Sequence, residues 1–98
     1  MSKLVLHIPF APILTQSAVL DFVKSSGWAW WHWGAATWLL AIPEQIDAGQ
    51  LMERVSVVVP GTPFTVLSLR VEVPQSGVNW ALWGPQEWEP WFPQWWET

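Results

Sequence analysis

WAWWHWGAATWLLAI, residues 28–42, holds five of the eleven tryptophans of this 98-residue chain and not one charged side chain. Gly34-Ala35-Ala36 interrupts it midway, so it reads as two strands folded back on each other. On the first strand Trp28, Trp30 and His32 share one face and Ala29, Trp31 and Trp33 the other. On the second, Trp38, Leu40 and Ile42 alternate with Leu39 and Ala41. Both faces are apolar. Such a hairpin needs cover on two sides: helices on one, and a second sheet, a tail or a partner chain on the other.

The charge-free run is wider still, from Ser25 to Pro43, and approaches the roughly 20 apolar residues of a membrane-spanning helix. Its period of two, the central glycine, a histidine and five indoles, which favour the membrane interface over its centre, argue against that.

Working outward, Lys3 to Ile8 (KLVLHI) is a short β-rich run stopped by Pro9 and Pro12. Thr15 is the expected N-cap of a first helix, with Ala18, Val19, Phe22 and Val23 at helical spacing, Lys24 in the last turn and Gly27 as a left-handed stop. After Pro43, Asp47 and Gln50 form a capping-box-like start for a second helix, striped by Leu51, Val55 and Val58 and fraying before Pro60-Gly61. Phe64 to Val73 alternates as a fourth strand. Leu67, Leu69, Val71 and Val73 are expected on its buried face, and Val66, Ser68, Arg70 and Glu72 on a half-wet one.

The order βαββαβ predicts an α+β domain of ferredoxin-like topology, an antiparallel sheet with two helices on one face, over residues 1–73. Residues 74–98 form a Trp/Pro-rich C-terminal extension with six tryptophans and four prolines, packing on the domain or on a partner subunit. Asn79 to Leu82 is expected to add a short edge strand and Pro85 to Trp91 a turn or so of helix, with Pro93 onward loose.

Ninety-eight residues make one domain that buries about two-thirds of its unfolded surface. Without cysteine there are no disulfides and no thiolate ligands or nucleophiles. The N-terminus lacks the pattern of a signal peptide, so the expected location is cytoplasmic. Net charge is −4, and the only cations are Lys3, Lys24, Arg54 and Arg70. Beyond Arg70 come Glu72, Glu87, Glu89 and Glu97 with nothing basic. That balance disfavours nucleic acid, whose binding draws on Lys and Arg, and also an anionic membrane surface.

Eleven indoles represent roughly 2,000 Å² of side chain, whereas a folded monomer of this mass exposes only about 5,700 Å². Leaving half of them in water would make a patch far larger than soluble monomers carry. Some of them are therefore expected in an interface, most simply a two-fold homodimer.

Trp30-Trp31-His32 followed by Thr37-Trp38-Leu39-Leu40, then Leu67 to Val73, then Trp80-Ala81 with Trp83, Pro85 and Trp88, resembles a group of small bacterial SinR-like proteins. These are relatives of the small CRISPR-associated ferredoxin-fold nucleases and of the toxin-type ribonucleases of that fold. The resemblance runs from about Gly27 to Trp91 and implies the fold and a dimer. In the wider nuclease group an Asp at the end of strand one is proposed to bind a divalent metal. Here His7-Ile8-Pro9-Phe10 stands in that place, with no carboxylate before Asp21, and hard cations want oxygen ligands.

Other chemistry is thin. Histidine is the usual side chain for proton transfer at neutral pH, but neither His7 nor His32 has an Asp or Glu within ten residues, and a histidine among apolar neighbours reads as a packing residue. Glu87 and Glu89 flank Trp88 as sugar-cleaving carboxylates flank a platform. On a proline-rich segment they read better as solvating charges. Sheets of this topology also stack RNA bases on aromatics, for which Trp28, Trp30 and His32 are the candidate sheet-face residues.

The resulting expectation is a non-catalytic protein-interaction module with no catalytic residue, metal or cofactor. It is a homodimer that docks on a host or CRISPR-related protein through Trp80, Trp83, Trp88 and Trp91 with Glu87 and Glu89. The competing class is a nuclease-like or RNA-binding relative of the resembled family.

Overall fold

A computed structural model describes residues 2–69 and 91–96. Four strands, β1 (Ser2–His7), β2 (Ala29–Trp33), β3 (Thr37–Ile42) and β4 (Thr65–Leu69), form one antiparallel sheet in the order β2-β3-β1-β4. Helices α1 (Ile13–Ser26) and α2 (Ala48–Val58) pack together on one face. This is the ferredoxin-like βαββαβ arrangement. The two arms of the Trp-rich hairpin are extended strands, and no helix among the described residues is long and apolar enough to cross a membrane.

The core follows from register. β1 pairs with β3 so that Leu4 faces Leu40 and Leu6 faces Trp38, and these side chains point with Ile8 and Ile42 toward the helices. Val19 and Val23 from α1 and Leu51 and Val55 from α2 close over them, all fully buried. Trp28 completes the cluster at the end of α1, meeting Phe22 edge to face at 5.3 Å. Burying such side chains stabilises by roughly 1.5–3 kcal/mol each, so this layer carries the fold.

Local signals set the boundaries. Gly27 adopts φ 74°, ψ 21° and its N–H returns to the Lys24 carbonyl, the left-handed stop expected of α1. Gly34 at φ 55° lets the hairpin reverse within three residues. At α2 the Asp47 carboxylate accepts the Gln50 N–H at 2.8 Å while the Gln50 side chain accepts the Asp47 N–H at 2.9 Å, a complete capping box.

Three expectations are corrected. α1 begins at Ile13 behind Pro12, not at Thr15. Proline's fixed φ suits the helix entry, and the Gln16 side-chain amide holds the turn by donating to the Ala11 carbonyl at 2.7 Å. The faces of β4 are exchanged. Its pairing sets Val66 beside Leu6 on the helix side, whereas Leu67 and Leu69 point away and are 54% and 39% exposed. Alternation reveals two faces without saying which one the helices cover. Finally, the chain beyond Pro93 is not loose throughout: Phe92–Trp96 forms a π-helical turn with Trp96 buried. The expected continuation of β4 to Val73, the Asn79 to Leu82 strand and the Pro85 to Pro90 part of the expected turn lie outside the described residues.

Leu40→Ala is expected to cost about 2–5 kcal/mol by cavity formation, and Leu67→Ala no more than about 0.5 kcal/mol. Urea unfolding followed by circular dichroism measures both, and equal losses would contradict the assigned faces of β4.

Candidate functional site

The sheet face turned away from the helices has an ordered composition. Reading one residue from each strand, Trp31 lies beside Leu39, Leu39 beside Val5 and Val5 beside Leu67. This apolar row crosses all four strands. The row above it pairs Thr37 with His7 and His7 with Thr65, and His7 Nδ1 lies 3.0 Å from the Thr37 hydroxyl. The row below runs Ala29, Ala41, Lys3 and Leu69. Alternation alone produces the pattern, since each row takes residues two apart along its strands.

Aromatic side chains from the C-terminal segment build on one end of the apolar row. The Trp91 ring lies 6.5 Å from Trp31, and Trp96 lies 5.8 Å from Trp91, both at tilted angles. Such pairs contribute about 0.5–1.5 kcal/mol beyond their buried area. Trp31 and Trp91 stay half-buried while Trp96 is buried. The opposite end of the row, Leu67 with its neighbour Leu69, is the wetter one. One face thus carries a tilted aromatic cluster, an aliphatic middle and an exposed leucine edge, with Ala41 and Lys3 of the row below buried.

The sheet-face expectation for Trp28, Trp30 and His32 is corrected by this geometry. All three lie on the helix side. Trp28 is buried in the core with the Arg54 guanidinium 5.9 Å from its ring, and Arg54 in turn reaches the Glu44 carboxylate at 3.3 Å. Trp30 packs on the core under the Lys24 ammonium, 5.9 Å from its ring. Both contacts fall within cation–π range. They tie the hairpin to the helices and leave neither indole as a platform on the outer face. Trp31 is the hairpin indole that meets the C-terminal aromatic side chains there. The odd-even pattern of the hairpin held that information, but which face the helices take depends on the β1–β3 pairing.

His32 meets Trp38 across the β2–β3 ladder, their rings stacked at 4.1 Å and 10° from parallel. His32 Nε2 and Trp38 Nε1 are buried without a hydrogen-bond partner. The contact is a packing interaction on the helix side, and among the described residues no carboxylate bonds the imidazole to orient it for proton transfer. His7, the other histidine, is exposed and bound to a threonine. Among the described residues no three of His, Asp and Glu come together as a metal-holding group. Trp80, Trp83, Trp88, Glu87 and Glu89 lie outside the described residues, and of the expected partner-binding set the structure places Trp91 alone.

The chain matches no protein-family model, no curated protein and no solved structure.

Two measurements test this geometry. His32→Phe keeps the stacked ring and removes one orphaned nitrogen, so it should be neutral or stabilising by up to about 1–3 kcal/mol, while His32→Ala should destabilise. Thermal unfolding of both variants reads the difference, and a large loss in His32→Phe would assign the imidazole a polar role. Trp91→Ala should uncover Trp31, detected as greater acrylamide quenching of the remaining indole fluorescence; unchanged quenching would contradict the Trp31–Trp91 contact.

Proposed function

We propose that this chain is a non-catalytic protein-interaction module that self-associates and docks on a second protein through its outer sheet face and Trp-rich C-terminal segment. The observation that supports it best is the apolar row Trp31–Leu39–Val5–Leu67, with Trp91 and Trp96 stacked at one end and exposed leucines at the other. Aromatic anchors in an apolar setting are what concentrate binding energy in protein interfaces.

The charge pattern selects the docked surface. Every charged residue after Arg70 is acidic, and two of these four carboxylates, Glu87 and Glu89, fall among the tryptophans of residues 80–96. A basic protein surface is complementary to that arrangement, with the indoles giving affinity and the carboxylates orientation and association rate. In the terms of the family resemblance, the docked protein is a host or CRISPR-related one, for which this chain is an accessory or an inhibitor. The RNA-binding alternative draws less support, since the two indoles named for base stacking sit on the helix side.

Affinity capture from lysate, with Trp91→Ala and Trp88→Ala in parallel, tests the reading. The expected result is a basic protein retained by the native chain at moderate salt and lost from both variants. Nucleic acid retained in its place, and released steeply as salt rises, would overturn it.

A further inference from the structure

The described charges are distributed unevenly over the domain. No charged side chain occurs between Lys3 and Asp21, between Lys24 and Glu44, or between Arg54 and Arg70. The fold gathers parts of these three runs at one end. His7 at the end of β1 pairs with Thr37 and Thr65, and the Ile8 N–H donates to the Ala36 carbonyl at 2.7 Å. The β1–α1 loop, the hairpin tip and the α2–β4 loop therefore adjoin. At the opposite end sit Lys3, Lys24, Glu44 and Arg54, where Ser2 Oγ donates to the Glu44 carbonyl and accepts the Ile46 N–H.

The charge-free end is also where the helix layer is least covered. Phe10, Ile13, Leu14 and Val57 are between 77 and 84% exposed. Together they present on the order of 500 Å² of apolar surface, in the upper range of the largest patch on an ordinary monomer. Beside them lies a groove of about 230 Å³ between the start of α1 and the end of α2, lined by Leu14, Ala18, Val58, Val59 and Pro60 with the polar Thr15 and Thr62. A protruding phenylalanine in the loop before α1 and a groove on α1 itself, floored by aliphatic side chains and flanked by two threonines, are the two halves of a self-complementary contact.

We infer that this end is the homodimer interface, with Phe10 of each copy seated in the α1–α2 groove of the other. Two arguments select a second copy as occupant. Each chain carries −4, so two copies repel wherever their charged regions meet. Contact through the uncharged ends keeps the described carboxylates apart and desolvates no ion. The area also fits: a stable interface buries about 800 Å² per partner, which the four exposed side chains, the groove and the exposed Pro9, Pro12, Pro60 and Pro63 approach together. The inference rests on the self-associating reading above and places that contact away from the outer sheet face proposed for the docked protein.

Sedimentation velocity on the full chain, over a concentration series into the high micromolar range, tests it with Phe10→Ser, Leu14→Glu and Leu67→Glu. Position 14 is exposed in the first turn of α1, where a carboxylate suits the helix dipole, so folding should survive, as circular dichroism would verify. The native chain is expected to dimerise, the first two variants to weaken the dimer at least about tenfold, and Leu67→Glu to leave it unchanged. A native chain that stays monomeric, or a dimer broken only by Leu67→Glu, would overturn the assignment. So would a monomer that co-sediments with phosphatidylcholine vesicles and loses them on Leu14→Glu, which would make the occupant a lipid surface. Capture with the Trp91→Ala control is read separately: a monomer that still captures its basic partner refutes the interface and keeps the docking function.

Discussion

The ladder between β1 and β3 is the constraint on which the rest of the molecule depends. Setting Leu4 against Leu40 and Leu6 against Trp38 puts four fully buried side chains on one face of the two central strands. A shift by one residue would turn all of them to the other side. Once that register is set, the flanking strands have little freedom: β2 follows β3 through a three-residue turn, and β4 pairs along the free edge of β1. The position of each tryptophan then follows. Trp28, Trp30 and Trp38 go under the helices, and Trp31 goes to the outer face.

The two faces use aromatic side chains differently. Under the helices, indoles are held by heterogeneous contacts: an edge-on phenylalanine, a guanidinium, an ammonium and a stacked imidazole. These close the gap between an edge strand and two helices of unequal length. On the outer face the contacts are indole against indole, with the C-terminal turn bringing Trp91 and Trp96 to Trp31. A surface of that kind is costly to leave in water and gains by meeting another molecule. The same reasoning applies to the charge-free end, where Phe10, Ile13 and Leu14 stand exposed beside a groove. On the function and interface proposed above, one of these regions would meet a second copy and the other a docked protein.

Much of this was legible in the chain itself because the signals are local. The alternation of residues 28–42 and the Gly34 break identify the hairpin, Gly27 ends α1, and the Asp47–Gln50 pair starts α2 by a hydrogen-bond exchange spanning three residues. The charge-free intervals could be read directly, yet their convergence could not. It arises because β1 and β2 end, and β3 and β4 begin, at that same end of the antiparallel sheet. Thr15 looked like a cap because its hydroxyl is the usual device, but Pro12 and the Gln16 amide opened the helix one turn earlier.

The sequence by itself determined the elements, their order and the ferredoxin-like class, since period, caps and breakers act within a few residues of each other. Only the tertiary structure decided which way each strand faces. Val66 reached the core and Leu67 did not, and Trp28 was buried while Trp31 joined an aromatic stack. A period of two is symmetric between faces, and the symmetry is broken by pairings such as Leu6 with Val66. That pairing joins residues sixty positions apart, a distance over which no local pattern carries information.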